Sequence, residues 1–140
     1  MMNLSITYRT DLKGVDWEEL TQILNLDGFD NGRSAEQLRI SFENSRFVVI
    51  ALAGESVIGT ARALSDGLCN AHLVDVWTHS RYRRQGIGTR MVQLLLGNLP
   101  GQHVSLFSHE YREFYEQLGF REELTGFSQV VGTWLHPEKS

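Results

Sequence analysis

Arg83, Gly86 and Gly88 stand in the spacing R-x-x-G-x-G, between a stretch that favours extended backbone (Val74, Val76, Trp77) and one whose apolar residues Ile87, Met91, Leu94, Leu95 and Leu99 recur with a helical period. A glycine turn opening a helix binds anions. The first N–H groups of a helix have no partner within it, and the helix dipole adds partial positive charge there. Glycine removes the side chains that would hold a phosphate off those N–H groups. Arg83, Arg84 and Arg90 add charge beside them. A pyrophosphate suits such a turn.

Several readings share this pattern. A P-loop requires G-x-x-x-x-G-K-[ST], and no such lysine follows. A dinucleotide fold requires G-x-G-x-x-G after the first strand of repeated β-α-β units, whereas this turn lies past the middle of the chain and Met91 occupies the third glycine position. A plain helix start flanked by solvated arginines has the same pattern.

A second motif follows about twenty-five residues later, Phe114-Tyr115-Glu116-Gln117-Leu118-Gly119-Phe120. T-H-S-R-Y-R-R-Q-G-I-G-T-R-M-V followed by F-Y-E-Q-L-G-F resembles the GNAT superfamily of acetyl-CoA-dependent N-acetyltransferases. The resemblance covers residues 46 to 124 well and the rest loosely. Residues 61–78 are similar to a bacterial and plastid-type branch, some members of which acetylate arylalkylamines or protein amines.

The resemblance implies acetyl transfer to a primary amine by direct attack within a ternary complex, with acetyl-CoA as co-substrate and no metal. Such a transfer needs a neutral amine, a stabilised oxyanion and a neutralised thiolate, but no protein nucleophile. It implies Tyr115 as general acid toward the thioester sulfur; the same residue also fits the apolar stripe of its helix. It places Asp75 as general base on the strand facing the thioester. A carboxylate inside V-D-V is costly to bury unless partnered, and partial burial would raise its pKa. The competing role for Asp75 is structural, bound to a backbone group or an arginine. His72, His109, Glu110 or water are the alternatives as base. For the coenzyme, Val76, Trp77 and Thr78 would pair with the pantetheine as an added edge strand. Arg83, Arg84, Gln85, Gly86, Ile87, Gly88 and Thr89 would hold the pyrophosphate, with Phe114 alongside. Two departures from the family pattern stand out: Ser80 where proline is frequent, and Ser108-His109 where an asparagine-containing stretch is common.

The elements that must position these residues can be read in order. Leu4 to Arg9 alternates as a strand. Asp16 and Ser34 open two helices as capping residues, with Leu20, Leu24, Leu38 and Phe42 among their apolar positions. The resemblance implies that this helical pair and its loop form part of the acceptor pocket, where Asp27, Asp30 and Glu36 would attract an amine and Phe29 would supply an apolar wall. Acidic residues that are simply solvated are the competing reading. Phe47 to Ala53, Ser56 to Leu64 and Asn70 to Thr78 read as an antiparallel meander. His103 to Phe107 reads as a strand parallel to the last of these, since a helix connects them. Ser108 would cap a helix carrying Tyr111, Phe114, Tyr115 and Leu118, and Gly126 to Leu135 would supply one or two closing strands. The expectation is a single α/β (α+β) domain over residues 1–140, with a mixed, mostly antiparallel splayed sheet of six to seven strands and about four helices on both faces.

Composition narrows the partners. With 140 residues, 41% hydrophobic and a formal charge of −4, the chain suits one globular domain and argues against nucleic acid as partner. The one cysteine, Cys69, makes no intramolecular disulfide, and the five histidines show no metal spacing. No secretory signal and no membrane-length apolar run are visible, so a cytoplasmic enzyme with no membrane partner is expected. A homodimer through the closing strands and a monomer would give the same patterns. A non-catalytic acetyl-CoA-binding module and another nucleotide-binding protein are the competing functions.

Overall fold

The computed structural model describes residues 5–123 and 125–135. Five strands lie in chain order, β1 (Ile6–Arg9), β2 (Phe47–Ala53), β3 (Ser56–Ser65), β4 (Asn70–Thr78) and β5 (His103–Ser105). The first four pair antiparallel, and β5 joins β4 in parallel. Parallel pairing needs a crossover. Here α3 (Ile87–Leu96) supplies it.

Side-chain alternation splits the core between the sheet's two faces. On β2, Val48 and Ile50 point to α1 (Trp17–Leu26) and α2 (Ala35–Glu43), meeting Leu20, Leu24, Leu38 and Phe42. Val49 and Ala51 point the other way, to Ile87, Met91, Val92 and Leu95 of α3. Burial on both faces explains why β2 reads as an unbroken apolar run. Both expected helix starts form: Asp16 Oδ1 accepts the Glu19 N–H at 3.0 Å, and Ser34 and Gln37 make a reciprocal capping box.

Three expectations are corrected. The sheet has five strands among the described residues, not six or seven, since Gly126 to Leu135 forms no strand there. β5 is three residues long, too short an edge to template another strand, and Phe127 and Val131 stay 94% and 90% exposed. The last helix, α4 (Arg112–Gln117), starts later than Ser108. Ser108 Oγ instead accepts the Tyr111 N–H at 3.2 Å, leaving Tyr111 at the helix start and half-exposed rather than on the inner stripe. Leu4 and residues 136–140, expected to belong to the first strand and a terminal tail, lie outside the described residues.

Candidate active site

The site is built around a fault in β4. Thr60 of β3 pairs with Trp77 and Arg62 pairs with Val74, so β4 carries one more residue than β3 between those rungs. That extra residue makes a β-bulge, and Asp75 takes the left-handed φ of 52°. Thr60 Oγ1 donates to the Asp75 carbonyl at 2.8 Å, satisfying an oxygen displaced from the ladder. The bulge also inverts the strand's parity. Ala71 and Leu73 face α3, yet Trp77, which strict alternation would put beside them, lies with α1 and α2, and Val76 takes the α3 side.

The Asp75 carboxylate is nearly buried between two guanidiniums. Arg33 donates from both terminal nitrogens at 3.0 and 2.8 Å, and Arg62 Nε donates at 2.6 Å. Arg62 reaches on to Ser45 Oγ of the α2 end at 3.2 Å. Burial alone would raise the Asp75 pKa, but the bonds and charges of Arg33, then those of Arg62, overcome it and hold the pKa below the ordinary carboxylate value. The expected upward shift is therefore corrected. A carboxylate with both oxygens bound by cations is a poor proton acceptor. Neither arginine was picked out from sequence; the signal for Arg62 is a cation amid the apolar T-A-R-A-L run, across the sheet from V-D-V.

Asp27 also takes a different place. It was expected to attract an amine, but its carboxylate is buried and accepts from Trp77 Nε1 at 2.9 Å and the Ser80 N–H at 3.1 Å. Burial raises its pKa, and the Ser80 and Trp77 bonds outweigh that and lower it. Asp27 thus ties the end of α1 to the start of the basic turn. Asp30 accepts the Gly32 N–H, and Glu36 pairs with Arg39. Phe29 lies 37% exposed on the loop.

β4 runs into the turn. Beyond His72, the last residue paired with β5, the two strands part and the β5-side edge of β4 is open along Val74 to Thr78. At its end a short 3-10 turn (Ser80–Tyr82) leads to Arg84 at φ 63°, Gly86 at φ 81° and then α3. The first helical bond is Arg90 N–H to the Gly86 carbonyl, so the N–H groups of Ile87, Gly88 and Thr89 precede it and are free of the helix ladder. Those N–H groups, the open edge of β4 and exposed Arg84 and Gln85 fit a pyrophosphate with an extended amide arm. Within that set the side chains divide. Ile87 is buried in the core, Trp77 is 2% exposed on the far face, and only their backbones face the turn. Arg83 folds back, donating from Nε to the Thr78 carbonyl at 3.1 Å.

The two glycines do different work. No atom lies within 4 Å of a Cβ built on Gly86, whose need is its left-handed φ. A Cβ on Gly88 would meet Phe114 Cζ at 3.2 Å and Thr78 Oγ1 at 3.4 Å. Phe114 thus sits on the first turn of α3, and Gly88 makes room for it. We expect Gly86→Ala to cost about 1–2 kcal/mol from backbone strain, and Gly88→Ala to push Phe114 aside, each measured by urea unfolding with coenzyme affinity by calorimetry.

Tyr115 stacks edge-on against Phe114 and Phe120, with ring centroids 4.9 and 5.7 Å away. Burial, with a smaller effect of Tyr111, pushes its phenol up to about 12. It is a neutral donor at any working pH. His72, on the last β4–β5 rung, is half-buried, with Nδ1 3.0 Å from Ser105 Oγ. Burial, then the Arg62 charge, pushes its pKa below the ordinary histidine value. His109 and Glu110 are exposed, in the loop before α4.

A five-stranded sheet parting between β4 and β5 over a glycine turn is the architecture of an acetyltransferase of the GNAT kind. The chain belongs to the acetyltransferase (GNAT) family, whose model matches residues 16–120. It is similar to the uncharacterized N-acetyltransferase ycf52 of Pyropia yezoensis, 28% identical over 138 residues, covering 93% of this chain and 77% of that one. Serotonin N-acetyltransferase 2, chloroplastic, of Oryza sativa subsp. japonica is 31% identical over 121 residues, with 80% of this chain and 60% of that one covered. An acetyltransferase crystal structure from Deinococcus radiodurans superposes with a TM-score of 0.79 at 27% identity, covering 92% of this chain and 93% of that one. Among the described residues no helix is long and apolar enough to cross a membrane.

Proposed function

We propose that the protein transfers the acetyl group of acetyl-CoA to a primary amine by direct attack within a ternary complex. The observation that carries this reading is the continuity of the open β4 edge, Val74 to Thr78, with the free N–H groups of Ile87, Gly88 and Thr89. Val76 and Thr78 would hydrogen-bond the pantetheine amides through their backbones. The turn from Arg83 to Thr89 would hold the pyrophosphate. When bound, acetyl-CoA supplies an activated acyl group and a thiolate leaving group. Phe114 fixes the first turn of α3, and Tyr115 stands next to it as a protonated phenol able to donate a hydrogen bond to sulfur. Asp75 positions rather than reacts: bound to Arg33 and Arg62, it joins the α1–α2 loop and α2 to the bulge.

The acceptor class is a small-molecule or peptide amine, and the rice relative's name makes aromatic ethylamines the first to try. The cytoplasm is the proposed location, although that relative is chloroplastic by name. The loss of Asp75 as proton acceptor is the one observation favouring a second reading, a non-catalytic acetyl-CoA-binding module. Thermal unfolding with acetyl-CoA, desulfo-CoA, ATP and NAD, followed by thiol release with an amine panel, tests both. A ligand that binds only the folded state raises its apparent stability. Stabilisation by acetyl-CoA together with thiol release supports the enzyme. Stabilisation without release from any amine supports the module, and no stabilisation overturns the coenzyme site.

A further inference from the structure

With Asp75 held by two arginines, the acceptor amine needs another group to take its proton. On the face of the sheet that carries α1 and α2, a shallow recess of about 310 Å³ runs along the β4–β5 pairing, from Asp66 and Asn70 at the β3–β4 turn to His72 and Ser105 at the other end. His72 and Ser105 form the last rung before the strands part. The recess therefore borders the split in which the thioester would lie.

We propose that His72 takes the proton of the acceptor amine, entering from this recess, and that Ser105 is a positioning residue holding the imidazole with Nε2 unprotonated. The assignment rests on the acetyl-transfer reading above. Its tautomer follows from a short chain of contacts. Ser105 Oγ lies 3.0 Å from His72 Nδ1 and 3.5 Å from the Ala71 carbonyl. A carbonyl can only accept, and a hydroxyl proton turned toward Ala71 leaves a serine lone pair to receive the Nδ1 proton, the arrangement this proposal assigns. Nε2 is then the free base, the pattern by which an outer partner fixes a histidine's tautomer. Phe107 packs edge-on against the ring at 5.2 Å and restricts its rotation.

The charged groups around the ring keep it neutral. Arg62 on β3 repels a proton, and its partner Asp75 lies further along β4, bound to Arg33 as well. Asp66 lines the same recess, and its side chain accepts the N–H groups of Leu68, Cys69 and Asn70. His103 is exposed on β5, two residues before Ser105. No protein carboxylate bonds to His72 among the described residues.

The protons balance. An ammonium acceptor loses its first proton to Nε2, which passes it to water. The freed lone pair forms the C–N bond, the C–S bond breaks, and the second nitrogen proton reaches the departing sulfur through the hydrogen bond from Tyr115. The products are amide, thiol and one released proton.

The first test needs no coenzyme. Nitrogen-15 NMR of the free protein should show His72 with Nδ1 protonated and a titration below about 6.5, the ordinary histidine value. In Ser105→Ala the Nδ1-protonated form should lose its dominance. Finding His72 with Nε2 protonated in the wild-type protein overturns the proposal. The second test is the pH profile of kcat/KM with two amines of different basicity. The wild-type rate should fall as pH drops through the His72 pKa measured by NMR, at the same pH for both amines. His72→Gln should lower kcat/KM by about 10²-fold and remove that limb, with acetyl-CoA affinity and unfolding midpoint unchanged. A His72→Gln protein that folds and keeps both rate and limb sinks the assignment. Failure of the underlying reading is seen separately, as wild-type protein that binds acetyl-CoA but releases no thiol with any amine.

Discussion

Asp75→Ala should lower the unfolding free energy by about 3–5 kcal/mol, the cost of leaving buried charge uncompensated. Arg33 and Arg62 have side-chain exposures of 8% and 13%, so neither guanidinium can recover its hydration when the carboxylate goes. The loss spreads across the fold because Arg62 bridges β3 to α2 and Arg33 belongs to the α1–α2 loop. Asp75→Asn should cost less, since the amide oxygen still accepts one bond, but it loses the charge. The pH dependence has a definite sign. The folded pKa of Asp75 lies below its unfolded value, so its stabilisation is fully present above about pH 4, the unfolded carboxylate value. It is lost as pH falls through the folded pKa. Urea midpoints measured from pH 7 downward should therefore fall below about pH 4 more steeply in the wild type than in Asp75→Asn. Equal slopes, or an Asp75→Ala protein as stable as the wild type, would refute a structural role for this carboxylate.

Tyr115→Phe should lower kcat by about 10²-fold, the low end of what a positioned proton donor contributes, while the affinity for acetyl-CoA stays as it was. Stability should change little, within about 0.5 kcal/mol, because Tyr115 Oη makes no hydrogen bond among the described residues and the ring contacts with Phe114 and Phe120 survive. The phenol at about 12 also bears on its manner of action. An alkyl thiol is more acidic than a phenol whose pKa burial has raised, so full proton transfer from Tyr115 to a thiolate is uphill. On the proposed reaction, Tyr115 would accordingly act as a hydrogen-bond donor to developing negative charge, and as a conduit for a proton from nitrogen. No alkaline loss of rate from Tyr115 should be seen below about pH 11. Steady-state kinetics of Tyr115→Phe beside its calorimetric affinity decides the matter; an unchanged kcat removes Tyr115 from the chemistry.

Local rules made much of this molecule legible. The capping residues Asp16 and Ser34, the β2–β3 hairpin, the bounds of β4 and the glycine turn into α3 all depend on neighbours within a few residues. The backbone candidates of the coenzyme site, Val76, Thr78 and Arg83 to Thr89, belong to that class, and their placement along one open edge and one helix start follows from strand–turn–helix order. The closing strands expected in Gly126 to Leu135 do not form; a stretch's own composition says nothing of whether an edge is there to receive it.

What the sequence by itself determined, then, is the strand–turn–helix and its free N–H groups, set by short-range sterics and hydrogen bonding. What only the tertiary structure decided is the bulge at Asp75 and everything that hangs on it. One extra residue in β4 reverses which face each later side chain takes. Trp77 therefore meets Asp27 across the α1 side, fifty positions away in sequence, and Asp75 meets Arg33 across forty-two. A carboxylate's readiness to take a proton is set by the cations beside it. Those cations came from distant segments, so the Asp75 that reads as a base in V-D-V is held between two guanidiniums in the fold.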